Sequence, residues 1–250
     1  MIPVSIPPAH ATHLDAYAGV FRLAARLFAY EIDADLYHAM ARNPITTETG
    51  ILAAPASITQ SEAEVLEDMA AEFCRLFIGP QPECPPYASA HAGEVKLGGQ
   101  AARRIDEFMA RHGVHPEIGH QPAVLEHDHL SVELALLAHF CELAASNSSH
   151  DSLGAARELV LDHLWPWADG YLDNLAALAR HSPYGALAGL VRDVLYDALT
   201  QLDRPTNTSK GAFSGWTSAS RGTPQCPEPR LALLVAASGC SRASGGGAGR

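Results

Sequence analysis

The stretch from Glu72 to Ser89 reads Glu-Phe-Cys-Arg-Leu-Phe-Ile-Gly-Pro-Gln-Pro-Glu-Cys-Pro-Pro-Tyr-Ala-Ser and is the most informative part of this 250-residue chain. Its first half has the spacing of an amphipathic helix, and its second half is a proline-rich loop that carries one aromatic residue, Tyr87. Proline fixes φ and restricts the residue before it, so such a loop loses little entropy when a ligand docks. We therefore expect a surface that grips an apolar peptide rather than a catalytic site.

The helix that leads into this loop is predicted to begin at Ser61, because Ser61 and Glu64 form a capping-box pattern. Its end is predicted at Gly79-Pro80, since glycine tolerates a left-handed C-cap and proline cannot continue the helix. Apolar residues at spacings of three and four predict a core stripe of Val65, Met69, Phe73, Leu76 and Phe77. From the pattern alone, core packing beneath a covered helix end and a peptide-binding surface are equally good interpretations.

A second cluster follows about forty residues later, in Glu126-His127-Asp128-His129-Leu130 and Glu133. Asp128 stands where a carboxylate caps the next helix. A guanidinium from a partner could be accepted by Glu126 or by the carboxylate oxygen of Asp128 that capping leaves unused. His127, His129 and Glu133 also raise the alternative of a metal-dependent helical enzyme. That pattern lacks the double histidine of a zincin helix, and structural zinc needs four ligands. We expect no metal and no other cofactor.

Helical periodicity dominates the rest of the chain, which predicts an all-α bundle of about eight to nine helices. Residues 43–60 are predicted to be a loop, and Gly113–Pro122 a hinge between two helical halves. The helices are expected at about 14–30, 33–42, 61–78, 97–111, from 129 onward, 152–164, 166–181 and 184–202.

The charge is uneven along the chain. Residues 1–204 carry a net charge of −15, whereas residues 205–250 hold five basic residues and one acid, Glu228. So acidic a body disfavours nucleic acid and anionic membranes and favours a cationic partner, although ordinary solubilising charge is the alternative interpretation.

The five cysteines form no Cys-x-x-Cys pair and are odd in number, which indicates free thiols in a reducing compartment. No signal peptide and no membrane-spanning run is recognisable, so a cytoplasmic location is expected. Residues 1–204 are predicted to form one helical domain. Residues 205–250, rich in Ser, Gly and Pro, are predicted to be a disordered tail, apart from an apolar patch at Leu231–Ala237.

Three groups of residues together resemble the TorD/DmsD/NarJ family of cytoplasmic chaperones that mature molybdenum oxidoreductases. They are Arg75-Leu-Phe-Ile-Gly-Pro with Pro85-Pro86-Tyr87, the Glu126–Leu130 cluster with Glu133-Leu134, and His163-Leu-Trp165-Pro-Trp167 with Tyr184 and Leu187. The similarity spans roughly residues 14–202. Phe73 and Tyr87 depart from the family pattern, since tryptophan is frequent at both positions in relatives.

This resemblance implies a chaperone, not an enzyme. It implies binding of a twin-arginine signal peptide and the apo-form of a molybdopterin oxidoreductase catalytic subunit, assistance with cofactor insertion, and delayed export. Relatives occur as monomers or domain-swapped dimers. The implied binding residues are Phe73, Leu76, Phe77, Pro86, Tyr87, Glu126, Asp128 and His129. Phe77 is also expected in the core. A helical interaction module without leader specificity is the remaining alternative.

Overall fold

The computed structural model describes residues 8–52, 60–115, 126–147, 150–180 and 182–202. π-helical turns extend α4 through Cys74–Ile78 and join α8 to α9 through Leu159–Leu164. With α8 and α9 counted as one run, the described residues form nine helices and no strand, which confirms the all-α prediction. The helices are α1 (Pro8–Ala29), α2 (Ala34–Ala41), α3 (Pro44–Glu48), α4 (Glu62–Phe73), α5 (Ala88–His91), α6 (Gln100–His112), α7 (Leu130–Asn147), α8 (His150–Glu158), α9 (Trp165–Leu178) and α10 (Pro183–Leu202).

Side chains and glycines define several helix ends. Ser61 and Glu64 form the predicted capping box at the start of α4, in which the backbone N–H of Ser61 donates to Glu64 Oε2 over 2.7 Å. Asp33 caps α2 by accepting from the N–H of Leu36. At the end of α6, Gly113 adopts a left-handed conformation with φ of +65°. These ends are therefore determined by local sequence.

Two predicted helix ends or loops need correction. The segment predicted as a loop at 43–60 contains the short helix α3, which begins at Pro44, a residue suited to the first helical turn. Residues 53–59 lie outside the described residues. Gly79 ends the helical run with φ of −60° and ψ of 173°, so its backbone is extended and not left-handed. Glycine is needed there for another reason: a Cβ atom would approach the Cys74 carbonyl oxygen to 2.9 Å.

The core lies between two helix pairs, α1 with α7 and α9 with α10, whose apolar faces meet. Phe77 stands in an aromatic cluster in this core, with its ring centroid 5.2 Å from both Phe73 and Tyr184 and 5.7 Å from Phe28. Such edge-to-face pairs add about 0.5–1.5 kcal/mol each beyond their burial. Phe77 is thus a core residue, as expected.

The described residues also bear on the remaining predictions. Cys74, Cys84 and Cys141 are free thiols, while Cys226 and Cys240 lie outside the described residues. None of the described helices combines the length and the apolar character that crossing a bilayer would require. Most of the predicted Gly113–Pro122 hinge and all of the 205–250 segment lie outside the described part of the chain. The division into two helical halves therefore stays a prediction.

Candidate functional site

The proline-rich loop folds back on the π-helical turn that precedes it. The N–H groups of Glu83 and Cys84 donate to the carbonyl oxygens of Arg75 and Leu76 over 3.1 and 2.9 Å. The hydroxyl of Tyr171 donates to the Cys84 carbonyl oxygen over 3.2 Å. Long-range hydrogen bonds therefore hold the loop in place, in addition to the φ restriction that its prolines impose.

Arg75 forms ion pairs that connect this loop to the helical turn before it. Its guanidinium donates to both carboxylate oxygens of Glu72, at 2.7 Å each, and also pairs with Glu83 from the loop. The neighbouring carboxylates raise the pKa of Arg75, and the Arg75 hydrogen bond lowers the pKa of Glu72. This arginine is satisfied within its own chain and is unavailable as a ligand for an acidic partner.

The two sequence clusters meet at a single antiparallel β-bridge between Tyr87 and His129. The N–H of Leu130 donates to the Pro86 carbonyl over 2.8 Å, and the N–H of Ala88 donates to the Asp128 carbonyl over 3.0 Å. The Tyr87 and His129 rings stack edge to face with centroids 4.8 Å apart. Residues 86–88 and 128–130 thus form one joint.

Asp128 has a different capping role from the predicted one. It is fully buried, and its Oδ2 atom accepts from the N–H of Ser89 over 2.8 Å, at the beginning of α5 rather than of α7. No described residue gives a hydrogen-bond partner to its Oδ1 atom, to the Oγ of Ser89 or to the Nε2 of His129.

Burial determines the protonation state of His129 in this joint. It lowers the pKa of His129 to about 3, so the imidazole is neutral at physiological pH. His129 Nδ1 lies 2.7 Å from the hydroxyl of Ser131 and accepts from the N–H of the same residue. Because Nδ1 accepts that N–H, the single ring proton resides on Nε2.

Glu133 lies on α7 beside this joint and is also buried. Its pKa is raised to about 8, mainly by burial and in smaller part by the charge of Asp128, while a hydrogen bond from Trp167 and the charge of Arg104 act in the opposite direction. The indole Nε1 of Trp167 lies 3.4 Å from Glu133 Oε2. Glu133 is therefore mostly protonated at neutral pH.

An exposed surface lies next to the joint and was missed by the sequence reasoning. Val95 is 99% exposed and Leu97 41% exposed, although both are apolar. The carboxylate of half-buried Glu126 lies directly over Gly98, so close that a Cβ atom there would overlap it. The Glu126 carbonyl accepts from the N–H of His129, which connects this carboxylate to the bridge. Val95, Leu97 and Glu126 thus mark one exposed surface beside the bridge.

The signal for this surface is present in the sequence but weak. Val95 and Leu97 stand in Glu94-Val-Lys-Leu-Gly-Gly99, where two apolar residues alternate with charge in a segment too short and glycine-rich for a strand. Glu94 itself caps α6, because its carboxylate accepts from the N–H groups of Gln100 and Ala101. The segment is therefore anchored at both ends.

The predicted site residues fall into three environments. Phe73, Leu76 and Phe77 lie in the core, and Pro86, Tyr87, Asp128 and His129 form the buried joint; Glu126 alone reaches the surface. The structure thus brings Tyr87, Asp128 and His129 together, and Glu126 beside them. Whether these residues bind a leader stays a prediction.

The metal-dependent alternative finds no support in this geometry. His127 Nδ1 pairs with Asp106 of α6 at 2.5 Å, whereas His129 Nδ1 faces Ser131 and Glu133 faces Trp167. Among the residues that the structure describes, no three His, Cys, Asp or Glu side chains are grouped so that they could hold a metal ion.

A family model and two curated relatives indicate one family, and one solved structure is also similar. Residues 41–173 match the family model described as nitrate reductase delta subunit. The chain is 29% identical over 203 residues to the Tat proofreading chaperone DmsD of Salmonella typhi, covering 76% of this chain and 93% of that protein. It is 24% identical over 194 residues to the chaperone protein TorD of Shewanella pealeana, covering 68% and 82%. A crystal structure from Archaeoglobus fulgidus, described as a redox enzyme maturation protein, aligns with a TM-score of 0.41 and 22% identity over 74% of this chain and 93% of the other.

Proposed function

This chain belongs to the TorD/DmsD/NarJ family, which the nitrate reductase delta subunit model represents, and from that premise we propose that it is a cytoplasmic chaperone dedicated to one molybdopterin oxidoreductase. Its relatives are named as chaperones, and the chain is a maturation chaperone and not an enzyme. It binds the twin-arginine leader and the apo-form of the catalytic subunit, assists cofactor insertion, and delays export until folding is complete.

The exposed surface of Val95, Leu97 and Glu126, which we call the leader-facing surface in this proposal, is the observation that carries it. A twin-arginine leader presents two guanidiniums followed by an apolar stretch. Glu126 offers a surface carboxylate that a guanidinium can engage with two parallel hydrogen bonds. Val95 and Leu97, exposed beside it, offer apolar contacts to the residues that follow the arginines. The surface therefore combines a carboxylate for the cations of the leader with apolar side chains for the residues that follow them.

The buried residues of the predicted site support this surface from below. The Tyr87–His129 bridge fixes the turn that carries Glu126, and Asp128 fixes the start of α5. Direct contact of a leader with Phe73, Leu76 or Phe77 would require the core to open, since each is at most 3% exposed. In this proposal these residues position the binding surface, and Glu126 makes the ionic contact.

Charge acts at longer range as well. The net charge of −15 over residues 1–204 attracts a cationic leader before contact and raises its encounter rate. Salt screens such attraction, with a Debye length of about 8 Å at physiological ionic strength. Leader association is therefore expected to slow as salt increases, while dissociation changes little.

The test is a titration of the whole chain with a fluorescent leader peptide taken from the molybdoenzyme subunit encoded beside it. Glu126→Gln is expected to weaken binding roughly tenfold, since a hydrogen bond to a charged group contributes about 1.5–3 kcal/mol. Replacing the two arginines of the peptide by lysines should weaken binding to the unmodified chain but add little to the loss in Glu126→Gln, because both changes remove one interaction.

The apolar half of the surface has its own variant and control. Val95→Ser with Leu97→Ser is expected to weaken binding severalfold, whereas Leu178→Ser, at a position of similar exposure to Leu97 on α9, should have no effect. Equal affinity for the arginine and lysine peptides, together with unchanged binding in Glu126→Gln, would refute the proposal. It would leave the helical interaction module without leader specificity as the better account.

A further inference from the structure

The 205–250 segment contains a stretch whose chemistry resembles that of the ligand. Arg230 is followed by seven apolar residues, Leu-Ala-Leu-Leu-Val-Ala-Ala237. This segment is net basic, with five basic residues against one acid, while residues 1–204 carry −15. A cation followed by an apolar run is also what the leader presents to Val95, Leu97 and Glu126. Residues 203–250 themselves lie outside the described residues.

We propose that Arg230–Ala237 is an internal competitor for the leader: in the absence of a client it docks on the leader-facing surface of its own chain. In this arrangement Arg230 pairs with Glu126, and the apolar run covers Val95 and Leu97, which otherwise stand exposed to water. This inference rests on the proposed function, and it adds a mode of regulation to the same surface.

The length of intervening chain permits such docking. Twenty-seven residues separate Leu202, the last residue of α10, from Arg230. Twenty-seven residues reach at most about 90 Å when extended, which exceeds the roughly 45 Å across a folded body of about 200 residues. Tethered segments within reach of a site have effective concentrations on the order of millimolar. A contact with a dissociation constant of about 1 mM would then occupy the surface about half of the time or more.

When Arg230–Ala237 occupies the surface, that chain cannot bind the leader. The apparent affinity for the leader therefore equals the intrinsic affinity multiplied by the fraction of chains whose surface is free. With an effective concentration of a few millimolar and an intrinsic dissociation constant of about 1 mM, the reduction is about three- to tenfold. A leader with two arginines displaces a segment that offers one. Peptides that bind weakly are thereby rejected, and the exposed apolar side chains are shielded between clients.

The first experiment measures leader affinity in the whole chain. Leu233→Asp with Leu234→Asp disrupts the apolar run and is expected to tighten leader binding about three- to tenfold. The matched control, Thr217→Asp with Ser218→Asp, adds the same charge to the same segment outside Arg230–Ala237 and should leave affinity unchanged. Equal affinities in the unmodified chain and both variants would overturn the proposal.

The second experiment does not depend on the leader. A labelled peptide of residues 228–240 is titrated into the Leu233→Asp, Leu234→Asp chain, with and without Glu126→Lys. Binding in the millimolar range that is lost with Glu126→Lys supports the proposal. Binding that is insensitive to Glu126→Lys places the segment elsewhere, for example on Trp165 and Tyr196, whose rings lie 6.2 Å apart with Tyr196 47% exposed. That outcome, or no binding, overturns it.

These two experiments separate the inference from the function on which it rests. If no form of the chain binds the leader, the proposed function fails, and the peptide titration still decides whether Arg230–Ala237 contacts Glu126. If the leader binds but the Leu233→Asp, Leu234→Asp variant shows no gain in affinity, the internal competitor fails and leader binding stands.

Discussion

Glu133 is expected to make the stability of this protein fall as pH rises through neutrality. Its pKa is raised from 4.5 to about 8 in the folded chain, mainly by burial. Between these values the folded state holds a proton that the unfolded state has lost, so the free energy of unfolding decreases with increasing pH. The contribution of protonated Glu133 is complete below about pH 4.5 and is lost by about pH 8.

The contribution of His129 to stability has the opposite pH dependence, and it determines the pH range in which the effect of Glu133 can be measured. Its pKa falls from 6.5 to about 3 on burial, so the folded state excludes a proton that the unfolded state binds. Its contribution to stability is complete above about pH 6.5 and is lost as pH falls toward 3. Between about pH 4.5 and 6.5 the contributions of Glu133 and His129 to stability change in opposite directions. Above about pH 6.5 the His129 contribution is complete, whereas the Glu133 contribution continues to fall.

The magnitude follows from the linkage relation. One pH unit corresponds to about 1.4 kcal/mol for one proton, so the unmodified chain should lose about 2 kcal/mol of unfolding free energy between pH 6.5 and 8. Glu133→Gln retains an oxygen that can accept from Trp167 Nε1 and cannot titrate. It should therefore show no loss over the same range.

Urea unfolding at pH 5.5, 6.5, 7.5 and 8, followed by far-ultraviolet circular dichroism, measures these slopes. The comparison uses slopes rather than absolute values, because the glutamine amide introduces a new buried donor. Glu107→Gln, at an exposed position on α6, is the matched control and should keep the slope of the unmodified chain. Parallel pH profiles for Glu133→Gln and the unmodified chain would refute the reasoning.

Two further pairs of substitutions test the surface and the joint. Gly98→Ala and Gly93→Ala should each lower the free energy of unfolding by about 1 kcal/mol, since both glycines have positive φ (+74° and +69°). Only Gly98→Ala should weaken leader binding, because its Cβ displaces the Glu126 carboxylate. Equal leader affinity in the two variants would count against a role for Glu126. Asp128→Ala should cost about 1–2 kcal/mol through loss of the cap on the N–H of Ser89, and Asp128→Asn, which keeps an acceptor oxygen, should cost less. If chemical unfolding gives equal losses for both, the capping role is wrong.

Local signals in the sequence predicted much of the fold. The capping box of Ser61 and Glu64 depends only on residues within one helical turn, and the structure contains it as predicted. The α3 helix was missed because its five residues, Pro44–Glu48, give too short a pattern to separate from a loop. Gly79 was given the wrong conformation because the π-helical turn before it changes how the helix ends.

The candidate site was less accessible to such reasoning, because its geometry depends on distant pairing. Asp128 lies just before α7 in sequence and yet caps α5, since the bridge places it against Ser89. Tyr87 is a plausible surface aromatic by pattern and is 3% exposed for the same reason. Proximity of the two clusters followed from the family resemblance, while their burial, and the exposure of Val95 beside Glu126, required the three-dimensional structure.

The bridge between Tyr87 and His129 has a consequence for the order of folding. It joins residues 42 positions apart, so its formation requires closure of a long loop, whereas helices such as α6 form from contacts within a few residues. Local helices are therefore expected to form before this bridge. Under the proposed function, a newly synthesised chain would complete the leader-facing surface only after its local helices have formed, so the earliest folding intermediates would not yet hold a leader.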